Sequence, residues 1–146
     1  YLMTSEELLS DLRTMLGGRA AEQVVFGVKT TGASNDLQRA TALAQSMVAQ
    51  YGMSEELGLM APSSNTNQYL EGQNYLNCSD GTTERIDNAV QTLLHKTYEE
   101  AKNTLIQNRK LLDEISEYLL AKETITGDEL MAYINADKAE NEAETE

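Results

Sequence analysis

The sequence predicts a mainly α-helical, bundle-like fold, interrupted by one long polar loop or loose hairpin at about residues 60–81. Three observations predict it. Apolar residues recur at three- and four-residue spacing, as in Leu37, Ala40, Ala44, Met47, Val48 and Tyr51, which makes one buried stripe per helix. Capping boxes stand at Thr4–Glu7 and Thr126–Glu129, each ahead of an apolar-periodic run. The core must come from Leu, Ile, Val, Met and Ala, because the chain has one Phe and no Trp. That set suits helix packing.

The first helix follows Thr4, with Leu8, Leu9, Leu12, Met15 and Leu16 facing inward. Gly17-Gly18 is expected either to bend it or to let a neighbouring backbone come close. Arg19–Phe26 reads as helical again, with Ala20, Val24 and Val25 inside, although the β-branched pair leaves Val24–Phe26 open to an extended reading. Glu22 has apolar helical neighbours. A salt bridge to Arg19, three residues back, accounts for it.

Thr30–Gly52 is the most informative stretch. Gly32 frees a tight turn, Ser34 or Asn35 caps a helix, and Gly52 suits the left-handed position past its end. Asp36 falls in the first turn of that helix. There a carboxylate is favoured by the helix dipole alone, by about 0.3–1 kcal/mol. A ligand carboxylate projecting into a cleft is the other reading, and periodicity does not separate the two.

Ser54 caps a short turn through Leu57 that closes at Gly58. Residues 61–81 are rich in Asn, Ser, Gln and Gly and hold the single proline, Pro62. Loops of this length inside a domain are usually functional or disordered. Tyr69, Leu70, Tyr75 and Leu76 are candidates for an edge to which an extended peptide adds, or for tacking the loop to the core. Thr82 or Thr83 starts the longest helix, to about Gln107, with Ile86, Val90, Leu93, Thr97, Ala101 and Leu105 as its stripe. His95 falls off that stripe and reads as a surface or interface residue, since no second His or Cys accompanies it. A helix from about Lys110 to Lys122 places Leu111, Leu112, Ile115, Leu119 and Leu120 inside. Leu130, Met131 and Ile134 bury a last short helix. Residues 1–136 are thus expected to pack, and 137–146, with five acids and one lysine, to be a disordered tail.

The whole chain of 146 residues carries 11 basic and 24 acidic side chains, 11 − 24 = −13. That balance argues against nucleic acid and against an anionic membrane surface. Cys78 is alone, so no internal disulfide forms, as fits a reducing cytosol. No apolar run approaches the ~18 residues a membrane span needs. Tyr1 is not an initiator Met, and the chain is expected to be a piece of a longer one.

TTGASNDLQRAT, preceded by LGGRAAEQVVFG and followed by MVAQYGMSEELG, closely resembles the peptidase domain of the FtsH family of membrane-anchored, ATP-dependent zinc metalloproteases. ERID, NRKLL and LLAKETITGDEL extend the resemblance. It is weak over Met60–Cys78 and absent from the tail. Gln23 and Gln45 depart from the family pattern, which has an acid and a basic residue there.

In that family the aspartate of the GASND block, which matches Asp36, is the third protein ligand of the catalytic zinc. The other two are histidines of an upstream HExxH helix whose glutamate is the general base. This chain has no HExxH. The resemblance therefore implies the part of a peptidase domain that follows its zinc helix. The zinc would be held by Asp36 and two histidines outside the chain. For Glu22 the salt bridge to Arg19 is the plainer reading, and an acid behind the metal ligands is its functional alternative. No catalytic base is expected in this chain, and alone it should be inactive.

The resemblance also implies an ATPase module using ATP and Mg2+, a homo-hexamer, and unfolded, short-lived or membrane proteins as substrates. The location implied is the cytoplasmic face of a bacterial plasma membrane, through an anchor outside this chain. The alternative is a noncatalytic helical assembly module from a family member that has lost its zinc helix.

Overall fold

The computed structural model describes residues 2–62 and 79–145, together with the backbone of 63–64 and 75–76. The described chain forms two compact units, 1–103 and 104–146, where the sequence reading joined 1–136 into one.

In the first unit, helix α1 runs from Ser5 to Phe26. Its capping box forms as expected: Glu7 N–H donates to Thr4 Oγ1 at 3.2 Å, and Thr4 N–H to the Glu7 carboxylate at 2.6 Å. Leu8, Leu12, Leu16 and Ala20, each four residues from the last, form its buried face. The helix passes through Gly17-Gly18 without a break, and a Cβ on either glycine would meet nothing within 4 Å. Both expectations for that pair are corrected. Leu12, Leu16 and Ala20 anchor the turns on either side, which outweighs the ~1 kcal/mol a helical glycine costs. Val24–Phe26 is helical, but Val25 is 37% and Phe26 73% exposed, because α1 has there outrun its partners.

A 3-10 turn, Thr31–Ala33, leads into helix α2, Ser34–Ala49. Ala40, Ala44, Met47 and Val48 are buried as the stripe predicts. Tyr51 is half exposed, since it lies beyond the last turn, and Gly52 takes the left-handed conformation, φ +63°. The turn after it closes on Gly58, whose N–H donates to Ser54 O at 3.1 Å, and it buries Leu57.

The loose hairpin is present in outline. Strand β1, Ser63–Ser64, pairs antiparallel with strand β2, Tyr75–Leu76, in the register Ser63 to Leu76 and Ser64 to Tyr75. Tyr69 and Leu70 lie outside the described residues. Helix α3 covers Asp80–Gln107 and starts earlier than Thr82, because Ser79 takes the capping role: its Oγ accepts Thr82 N–H at 3.3 Å. The Arg85 guanidinium donates to Glu56 O and ties the turn to α3.

Two adjoining clusters make the core of this unit. Ala44, Val48, Ala49, Leu57, Ile86, Ala89 and Val90 form one. Leu12, Leu16 and Ala40 form the other, and Leu93 and Leu94 pack against both. Alanines at the contacts let the backbones come close. Buried Thr97 turns its hydroxyl onto Leu93 O at 2.7 Å, so no polar atom is stranded.

The second unit holds helices α4, Arg109–Lys122, and α5, Gly127–Ala143, packed against each other. Tyr118 meets Tyr133 edge to face, with centroids 5.6 Å apart, and Lys110 Nζ reaches Glu140 at 2.6 Å. Neither helix has a fully buried side chain. The inward placing of Leu119, Leu120 and Met131 is corrected, since they are 37%, 85% and 49% exposed: a two-helix contact covers only a narrow strip of each helix. The acidic stretch from Asp137 to Ala143 is helical instead of disordered, and α5 is longer than expected. The Lys110–Glu140 pair and the Asn141–Asp137 bond, 3.1 Å, hold it to the helical path.

With so little buried, these helices depend on their ends. Glu129 N–H donates to Thr126 Oγ1 at 3.2 Å, and Thr126 N–H to Glu129 Oε2 at 3.0 Å. Thr126→Ala should lower the stability of α5 by about 1 kcal/mol. Hydrogen exchange of the α5 amides would show this as roughly fivefold faster exchange than in the parent chain.

Candidate metal-ligand site

Asp36 sits in the first turn of α2 with its side chain 45% exposed, and Arg39 Nη1 lies 3.8 Å from its Oδ1. What places it is the segment before it. Thr30 donates its backbone N–H to Glu22 Oε2 at 3.2 Å and its hydroxyl to Glu22 Oε1 at 2.5 Å. The same Thr30 Oγ1 accepts Gly32 N–H at 3.2 Å, which starts the 3-10 turn. Ser34 N–H then bonds to Thr31 O, and α2 begins. Glu22, on α1, therefore holds the turn from which Asp36 projects.

Two sequence expectations are corrected here. Neither Ser34 nor Asn35 caps α2: the N-cap position is Ala33, with no side-chain bond. The 3-10 turn runs straight into the helix and uses its own carbonyls, and Thr30 does the side-chain capping three residues earlier. Gly32 also plays a different part. Its φ is not left-handed, and a Cβ there would stand 3.3 Å from Thr30 Oγ1, a tight contact, and 3.5 Å from Glu22 Oε1, so close approach, and not a free turn, favours glycine.

The expected Glu22–Arg19 pair exists, with Arg19 Nη1 at 3.8 Å from Oε2. The Thr30 hydroxyl, then the Thr30 N–H, then Arg19 lower the Glu22 pKa below its ordinary 4.5. A depressed carboxylate contributes stability that is present above the unfolded value and lost as pH falls through the folded one. Glu22→Gln should therefore destabilise the chain at neutral pH. It should also leave a flatter pH profile below about 4.5, read by denaturant melts of both proteins from pH 7 to pH 3. Equal acid slopes in the two proteins would refute the assignment.

Among the described residues no three His, Cys, Asp or Glu side chains gather closely enough to hold a metal ion. Asp36 offers one carboxylate ligand. His95 is exposed on α3, as the sequence reading had it, and lines a different feature.

That feature escaped the sequence reading. Leu37, next to Asp36, lines a cleft of about 600 Å³ with Arg19, Lys29, His95, Tyr98 and Lys102. These residues come from α1, the segment that follows it, α2 and α3, so no local pattern announces them.

Comparison with known proteins bears on this geometry. Residues 1–133 match the model of peptidase family M41. The ATP-dependent zinc metalloprotease FtsH of Clostridium perfringens is 48% identical over 134 residues, covering 92% of this chain and 19% of that protein. The protein of the same name from Lancefieldella parvula is 47% identical over 131 residues, covering 90% and 20%. That from Thermotoga maritima is 47% identical over 133 residues, covering 89% and 22%. The chain thus spans about a fifth of the length of these curated relatives.

Proposed function

The chain belongs to peptidase family M41, and on that premise we propose that it supplies one zinc ligand, Asp36, to a proteolytic centre completed by residues outside it. The observation that carries this reading is the half-exposed Asp36 carboxylate on a turn clamped by Glu22 and Thr30. A metal ligand needs a fixed position and an open approach, and this turn offers both. Asp36 brings negative charge to the metal, and Glu22 keeps the turn in place.

Zinc with three protein ligands leaves one position open, where it lowers the pKa of bound water to ~7 and polarises a peptide carbonyl. The base that takes the water's proton is assigned to a glutamate of an HExxH helix outside these 146 residues. Substrates are unfolded or membrane proteins. An extended substrate segment adds to the edge of the β1–β2 hairpin, at Tyr75–Leu76. For the whole protein, an ATP- and Mg2+-using module, hexameric assembly and an anchor to the cytoplasmic face of a bacterial membrane complete the reading. No helix among the described residues is long and apolar enough to cross a membrane, so the anchor is assigned to other segments.

Zinc content and casein cleavage test the reading on two proteins. The 146-residue chain should hold far less than one zinc and cleave nothing. The longer protein that includes the zinc helix should hold about one per chain and cleave.

A further inference from the structure

The cleft beside Asp36 is a local exception to the charge of the chain. Overall the protein carries −13, yet Arg19, Lys29 and Lys102 converge on this one cleft, with His95 at its edge. Glu99 is the acidic residue in the lining, and Glu22 pairs with Arg19 at 3.8 Å. Neither lysine has an ion pair among the described residues. Lys102 and Glu99 share the helix face of α3, three residues apart, without closing to 4 Å. The remaining wall is Leu37, the Tyr98 ring and the polar Gln23, so part of it is apolar and lies beside two ammonium groups that close no salt bridge among the described residues.

We propose that this cleft binds an acidic side chain of a peptide, its carboxylate between Lys29 and Lys102 and its neighbouring apolar side chain against Leu37 and Tyr98. A carboxylate suits the site because it neutralises two like charges that line one cleft, Lys102 on α3 and Lys29 on the segment between α1 and the 3-10 turn. A volume of about 600 Å³ takes a side chain and its flanking backbone. Leu37 follows Asp36 directly, so a peptide seated here passes beside the metal-ligand turn. As a substrate subsite the proposal rests on the protease reading; as a binding site it does not.

The test uses the longer protein and two short fluorescent peptides that differ only by one Glu or Gln between apolar residues. At low salt the Glu peptide should bind about fivefold more tightly by fluorescence anisotropy, the scale of a partly exposed ion pair. The preference should vanish in about 0.5 M salt and in the Lys29→Gln, Lys102→Gln double variant, whose fold is checked by its melting temperature. Lys102→Glu should reverse it. No preference, or a preference that ignores both lysines, overturns the proposal; the second result is expected if another part of the polypeptide fills the cleft.

Cleavage separates the two readings. If kcat/KM also favours the Glu peptide and the ratio falls in the double variant, the cleft is a substrate subsite. Binding preference without any cleavage overturns the protease reading and leaves the cleft. Cleavage with a ratio that the lysines do not move overturns the cleft and leaves the protease.

Discussion

Asp36→Ala in the longer protein should lower zinc affinity by at least about a hundredfold and abolish casein cleavage. Groups that merely support a ligand already account for 10- to 100-fold effects, and removing a ligand exceeds them. The fold should survive. Asp36 is half exposed and its ion pair with Arg39 is long, 3.8 Å, so its loss costs little stability. Zinc content by metal analysis, cleavage rate and melting temperature are to be measured together. Lost zinc with an unchanged melt of the zinc-free protein identifies a ligand. Retained zinc and retained cleavage refute the ligand assignment. If the longer protein binds no zinc at all, the noncatalytic assembly-module reading takes its place.

Leu12→Ala should be the most damaging single change to stability. Leu12 is fully buried on α1, in the cluster with Leu16 and Ala40, and it is among the largest side chains with no exposure. Truncating such a leucine costs about 2–5 kcal/mol, through lost transfer energy and the cavity left behind. In a unit of this size each kcal/mol shifts the midpoint by about 4–8 °C, so a fall of at least about 10 °C is expected in a thermal melt. Leu120→Ala is the matched control. The same chemistry at a position 85% exposed should change stability by less than about 0.5 kcal/mol. Equal effects at the two sites would mean that the α1 face is not the core.

The damage from Leu12 should also reach the ligand turn. Glu22 and Leu12 share α1, and the Thr30 clamp depends on where α1 lies relative to α2. A loosened α1 therefore predicts a weaker hold on the turn that carries Asp36.

The sequence by itself determined the helices and their inner faces. Leu8, Leu12, Leu16, Ala40, Ala44, Val48, Ile86 and Val90 were legible because a helix repeats every 3.6 residues and writes its buried stripe into the chain. Both capping boxes were legible because donor and acceptor lie three residues apart. The ligand role proposed for Asp36 rests on the motif around it, because periodicity alone leaves a first-turn acid unassigned.

Tertiary structure decided the rest, since those choices are made between segments. Leu120 and Val25 match the stripes, yet they stay 85% and 37% exposed, because the elements among the described residues do not cover them fully. Glu123 ends α4 in the left-handed conformation, φ +64°, with its N–H on Leu119 O, without the glycine that normally signals such an end. Glu22 read as a partner for Arg19, three residues away, and it became the clamp of Thr30, eight residues on, only when the chain turned back. The basic cleft gathers positions 19, 29 and 102, whose proximity is a property of packed helices and leaves no periodic trace in the chain.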